Sequence, residues 1–187
     1  IDTTAGERER HSLEPLLTLP VRRSQLLIGK MLATSAFMSV SLLLTLATFG
    51  VVLTFIPLEA LGMSANFGPR VILAIFAIMV TFVPMGAGLM TVVASFTRSN
   101  REAQSWLSVV MMFPIAPIMF AVVTGTKPSA GLMAVPSLSQ HLIATSLMRG
   151  DSIPALHILI CAGTTLALGA LLVGAAIKLY QREAILG

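Results

Sequence analysis

Acid–base or metal chemistry in this sequence would have to be built from a small set: Glu7, Glu9 and His11 near the start, His141 and His157 farther on, and one cysteine, Cys161. Glu7 and Glu9 are two apart, which on a helix turns them to different faces and prevents joint metal binding there. Glu7 and His11 are four apart and can meet, but no HExxH pattern joins a metal pair to a general base. His141 and His157 fall at the opposite membrane surface in the topology derived below. Cys161 lies alone inside an apolar run, which leaves neither a disulfide framework nor a cysteine zinc site. No catalytic residue and no metal ligand is therefore assigned, and the chain is not expected to be an enzyme.

The elements that must position any site are apolar. Of 187 residues 56% are hydrophobic and 11% charged, and the mean hydropathy is +0.90, more apolar material than one water-soluble core of this length can hide. The class is an all-α integral membrane protein, because the apolar runs are continuous rather than alternating. A hydrocarbon core of about 30 Å takes roughly 20 apolar residues to cross, and four stretches supply that length. They are 31–56, 71–96, 105–123 and 154–177. The connections are 57–70, 97–104 and 124–153, with 1–30 before the first span and 178–187 after the last. Pro114 and Pro117 each remove a backbone donor, so the third helix is expected to be kinked or split, with its freed carbonyls turned toward protein.

Basic residues orient the chain, since cytoplasmic segments retain Lys and Arg. Segments 1–30, 97–104 and 178–187 hold nine of them, whereas 57–70 and 124–153 hold three, Arg70, Lys127 and Arg149. Both ends are thus expected in the cytoplasm. With Ile1 first and no signal-peptide pattern, the chain reads as the C-terminal piece of a longer protein.

Within 124–153 the order Pro136, Ser137, Gln140 has the spacing of a capping box. It predicts a short helix over 138–149 stopped by Gly150 and lying on the outer surface or among lipid headgroups, its shared face formed by Leu138, Leu142, Thr145 and Met148. The spans contain no acid or base except Lys30 and Lys178 at inner ends and His157 near an outer end, which leaves proton relays and voltage sensors without their usual groups. Small residues four apart, Gly29 with Ala33, Gly163 with Ala167 and Ala170 with Gly174, predict close helix approach.

The charged collar ahead of the first span remains. Ser12 can cap a short helix over 13–19, with Pro15 in its first turn and Pro20 stopping it. Leu13, Leu16 and Leu17 give it an apolar face, and a helix that short must dock on something. Two readings fit the residues: a membrane anchor, with Arg22, Arg23 and Lys30 on lipid phosphates, or a knob for a protein partner. Glu7, Glu9 and Glu14 favour the second, because an anionic leaflet repels them.

The stretch AGERERHSLEPLLTLPVRRSQLLIGKMLA resembles the cytoplasmic segment of type-2 ABC exporter permeases, in particular their sodium-extrusion-like branch. The likeness lies in an acidic-x-acidic pair, a Ser-Leu-Glu, a Leu-Leu-x-x-Pro and a Gly-Lys at the head of a span. His11 departs from the usual glycine and Ser12 from the usual threonine. SFTRSNREAQSWLS, VPSLSQHLIATSLMRGD and KLYQREAILG are similar to the family's inner loop, outer segment and tail.

The resemblance implies a permease half of six helices, of which these would be the last four. It makes 1–30 a cytoplasmic coupling segment in which Glu7, Arg8, Glu9, Ser12, Leu13, Glu14, Leu16 and Leu17 meet a separate ABC ATPase subunit, while Arg22, Arg23 and Lys30 anchor at the inner leaflet. It implies further a second permease copy or paralogue, contact with membrane lipid and none with nucleic acid, a bacterial or archaeal cytoplasmic membrane, and sodium as a cargo. ATP and magnesium would belong to the partner subunit, with no cofactor in this chain. A translocation path is expected where backbone is least regular, at Pro84, Gly86, Gly88, Pro114 and Pro117. An intramembrane hydrolase and a non-transporting membrane scaffold are the competing readings.

Overall fold

The computed structural model describes residues 23–56, 67–97 and 100–186. Its helices are α1 (Arg23–Thr54), α2 (Pro69–Met79), α3 (Val83–Phe96), α4 (Asn100–Thr124), α5 (Leu138–Arg149) and α6 (Ala155–Leu186), with short 3-10 turns at Val80–Phe82 and Leu132–Ala134. No strand occurs among the described residues. Among the described residues four stretches are long and apolar enough to cross a membrane: Gln25–Thr54, Pro69–Phe96, Arg101–Thr124 and Ala155–Leu179. The all-α, four-span reading of the sequence therefore holds.

The boundaries differ from those expected, for identifiable reasons. α1 starts at Arg23 rather than Met31, so Lys30 lies two turns inside the helix. Charge alone marked the expected start, but nothing in residues 23–30 breaks a helix, and Leu27 and Met31 are buried on one face. α4 starts at Asn100, taking Glu102-Ala103-Gln104 out of the expected loop and into its first turns. An acidic Glu102 suits the positive end of the helix dipole, and Ala103 is fully buried. α6 begins right after Pro154 and continues through the expected tail to Leu186.

The helix expected to split runs unbroken, with Pro114 and Pro117 both inside α4. The interrupted span is instead the second, where a 3-10 turn over Val80–Phe82 separates α2 from α3 just before Pro84. Pro84 at the start of α3 tolerates its missing N–H because an opening turn has spare donors anyway.

The chain divides into two compact units, the first taking the described residues of Ile1–Ala36, Pro84–Phe113 and Ala167–Gly187, the second those of Phe37–Val83 and Pro114–Leu166. In the first unit α3 and α6 touch through glycine. A Cβ on Gly88 would lie 3.0 Å from the Leu172 Cβ and the Val173 nitrogen, and one on Gly169 would lie 3.0 Å from the Met85 nitrogen. Gly29, Gly163 and Gly174, the expected contact glycines, have nothing within 4 Å of that position. Four-residue spacing identifies a small stripe but not which stripe meets a partner.

The second unit has its core where α4, α5 and α6 converge: Ala121, Met133, Leu138, Leu142, Ile143 and Cys161, with Ile78 of α2 packed against them. α5 was expected on the surface and is instead part of this core. Leu138, Ser139, Gln140, Leu142, Ile143 and Ala144 are buried, and only its last turns approach the outside.

Replacing Gly88 or Gly169 by valine should lower stability by about 1–3 kcal/mol, since backbone atoms opposite them cannot move aside. Gly163→Ala should be neutral or stabilising by up to about 1 kcal/mol from helix propensity. Thermal unfolding of the detergent-solubilised protein checks both.

Candidate functional site

Pro114 marks the chemically unusual part of the second unit. Pro114 and Pro117 deprive α4 of two N–H donors within one turn, leaving the carbonyls of Val110 and Phe113 without their ordinary helical partners. The Ser137 hydroxyl reaches this turn and donates to the Pro114 carbonyl at 2.6 Å.

Ser137 is the N-cap of α5, and the capping box read from its spacing is present. Its backbone N–H donates to Gln140 Oε1 at 2.6 Å, and the Ser139 hydroxyl donates to the same oxygen at 3.2 Å. Gln140 Nε2 in turn donates to Thr165 Oγ1 at 2.8 Å. One amide side chain thus ties the start of α5 to α6, while its neighbour ties it to α4. Ser139 and Thr165 are fully buried and Gln140 nearly so. A buried polar network of this kind is stable only when each member is paired, as these are.

The corner is also strained. Ser137 has φ 72° and ψ −52°, close to the centre of a classic γ-turn, and among the described residues it alone combines a side chain with positive φ. Such a conformation costs on the order of 1–3 kcal/mol and persists only where its surroundings impose it. Here the imposing groups are Gln140 and Pro114. At the other end Gly150, φ 77°, ends α5 in the left-handed conformation that glycine adopts without penalty.

Beside the network lies a cavity of about 300 Å³. Met38 and Leu42 of α1, Met79, Phe82 and Pro114 with Ile118 of α4 make it apolar, and among the described residues Ser137, Gln140 and His141 provide its polar lining. Such a space accepts an apolar group and offers hydrogen bonds along one edge. Among the described residues no group of three or more His, Cys, Asp or Glu is placed to hold a metal ion. Cys161 is buried and unbridged, and His157 keeps a buried Nδ1 without a hydrogen-bond partner.

The residues expected to carry function are distributed unevenly. Glu7, Arg8, Glu9, Ser12, Leu13, Glu14, Leu16, Leu17 and Arg22 lie outside the described residues. Arg23 opens α1 and Lys30 is half-buried within it. Pro84, Gly86 and Gly88 belong to the first unit, where Gly86 and Gly88 are buried. Pro114 and Pro117 belong to the second, and of these Pro114 borders the cavity. Sequence reasoning found Ser137 and Gln140 as caps but missed their burial; it weighed His141 only as a metal or acid–base candidate, and it missed Thr165 altogether. A threonine within an apolar helix carries no signal of its own partner.

Gln140→Leu should cost about 1–3 kcal/mol, because it strands the buried Ser137 N–H, while Thr165→Val should cost about 1 kcal/mol. Their double mutant should lose less than the sum, as a thermal double-mutant cycle would show. Ser137→Ala should destabilise more than Ser137→Gly: both lose the bond to Pro114, but only alanine keeps the positive-φ strain.

Comparison with known proteins adds the family. The model of the ABC-2 family transporter protein matches residues 1–145. The ABC transporter permease protein NatB of Bacillus subtilis (strain 168) is 31% identical over 161 residues, covering 83% of this chain. The chain spans 41% of the length of that relative. No solved structure matches it significantly. With a family match across most of its residues and four membrane-length helices in place, the chain belongs to the ABC-2 family of transporter proteins.

Proposed function

We propose that this chain is the part of an ABC exporter permease that converts the closure of a separate ATPase subunit into helix movement. The observation that carries the reading is the family match over residues 1–145, which takes in the charged collar as well as the first three spans. In this reading Glu7, Arg8, Glu9, Ser12, Leu13, Glu14, Leu16 and Leu17 form the knob that the ATPase grips, and Arg22, Arg23 and Lys30 hold it at the inner leaflet. The nine-to-three bias of basic residues supports an orientation with both ends of the stretch in the cytoplasm. A second permease copy or paralogue completes the assembly, in a bacterial or archaeal inner membrane.

Pulling or pushing at residues 7–20 acts on α1, which continues without a break from Arg23 to Thr54. A continuous helix transmits displacement along its axis, so a knob at its cytoplasmic end has a lever across the membrane. Cargo would pass near Pro84, Gly86, Gly88, Pro114 and Pro117, where prolines withhold backbone donors and glycines carry no side chain. Sodium is the cargo that the resemblance to the sodium-extrusion branch supports, and carbonyl and hydroxyl oxygens are suitable ligands for it.

Replacing Glu7 and Glu9 together by glutamine in the full-length permease should leave membrane insertion and ATPase activity in place while cutting transport by about tenfold, through loss of charged contacts at the subunit interface. Sodium efflux from reconstituted vesicles, measured beside ATP hydrolysis, is the assay; undiminished pumping by the double variant overturns the coupling role. Purification from membranes without an ATPase partner would favour the scaffold, and peptide-bond hydrolysis by the isolated chain the hydrolase.

A further inference from the structure

A second cavity, of about 400 Å³, adjoins the apolar one in the same unit, and His141 lines both. Its character is different. Lys127 and Arg149 line it together with the hydroxyl-bearing Thr126, Thr145 and Ser146, and among the described residues no carboxylate does. Asp151, just beyond α5, is exposed and outside the lining. Arg149 alone would be explained by its place in the last turn of α5, where a cation offsets the helix dipole. Lys127 is in no helix, and these are two of the three basic residues that the sequence leaves at this membrane surface. Their convergence on one cavity asks for a different account.

Depth supplies it. The cationic cavity is built at the end of α4, from Ala121 to Pro128, whereas the apolar one is built around Pro114 and Ile118 and mid-helix Met38 and Leu42. From Pro114 to Thr124 the helix axis rises about 15 Å. Polarity therefore grades from hydrocarbon depth to the membrane surface across His141, the same gradient that a lipid presents along its own length. At about 300 Å³ the deeper space takes a single tail of on the order of ten methylene-sized groups, each given roughly a water molecule's share of volume.

We propose that these two cavities, which share His141 in their linings, together form a binding site for an anionic single-chain amphiphile, with the phosphate or carboxylate head held by Lys127 and Arg149 and the tail seated between α1, the Met79–Val83 turn and α4. Ser146 offers a hydroxyl to the head, the Thr126 hydroxyl being engaged with Thr124, and His141 stands where head and tail meet. The site goes beyond the coupling role and does not depend on an ATPase being bound.

The test uses the purified full-length permease in neutral detergent and radiolabelled dodecyl phosphate as the probe. Saturable binding is expected, with dodecanol and inorganic phosphate alone each competing at least about tenfold less well, since each lacks one half of the recognised molecule. Lys127→Gln with Arg149→Gln should weaken dodecyl phosphate by about tenfold, because both side chains are exposed and exposed charges contribute modestly each. Competition by inorganic phosphate equal to that of dodecyl phosphate would reduce the site to a free-anion pocket and overturn the proposal, as would unchanged affinity in the double variant. A dodecyl phosphate carrying a photoreactive group at its tail end gives a readout on the unaltered protein. Crosslinks should map to peptides containing Met38–Leu42 or Met79–Val83; crosslinks confined to the outward-facing Met112 and Phe113 would mean that the tail lies in bulk detergent and the proposal is wrong.

Discussion

A polar group that enters hydrocarbon must bring its hydrogen-bond partner with it, because lipid offers none. The second unit meets that demand through Gln140, whose oxygen serves the N–H of Ser137 and the hydroxyl of Ser139 while its nitrogen serves Thr165. Without this arrangement the start of α5 could not be buried, since a helix start carries N–H groups that no helical carbonyl can reach. With it, α5 becomes part of the core, the apolar cavity gains a wall with a polar edge, and the proline-bearing turn of α4 gains a donor from Ser137. The strain at Ser137 belongs to the same arrangement: the backbone bends to a conformation rarely taken by serine so that one residue can face α4 and α5 at once.

Much of this architecture is legible in the sequence, in the places where local chemistry decides. Long apolar runs mark four spans because hydrocarbon thickness sets a minimum length, and Ser137, Gln140 and Gly150 bound α5 because capping is a short-range property. Proline is less decisive. Pro114 and Pro117 sit inside a helix that stays continuous, whereas the interruption falls at Val80–Phe82, ahead of Pro84. The sequence marks the missing donor but not the tertiary contact that compensates for it.

Burial is the property read least well. Leu138, Leu142, Thr145 and Met148 predict a face and not its surroundings, which is why α5 reads as a surface helix from sequence and is a core one in the fold. In a membrane protein the ambiguity is wider, because the lipid-facing side is as apolar as the core: Phe37, Phe113, Phe120 and Leu171 are all strongly exposed. The deciding partner, Thr165, is remote in sequence and ordinary in type. The same holds for glycine, where Gly88 and Gly169 meet opposing backbone and Gly29 and Gly163 do not.

The unequal lengths of the spans carry one more consequence. At about 1.5 Å per residue the first measures about 45 Å and the third about 36 Å, against a hydrocarbon layer of about 30 Å. Both exceed that layer, so helix ends project beyond it or the helices lean: the first has a polar start to project, at Gln25 and Lys30, and an apolar far end, where Phe55 is 82% exposed. How far such helices lean depends on membrane thickness, so a bilayer of different chain length should alter their tilt with no change in the polypeptide.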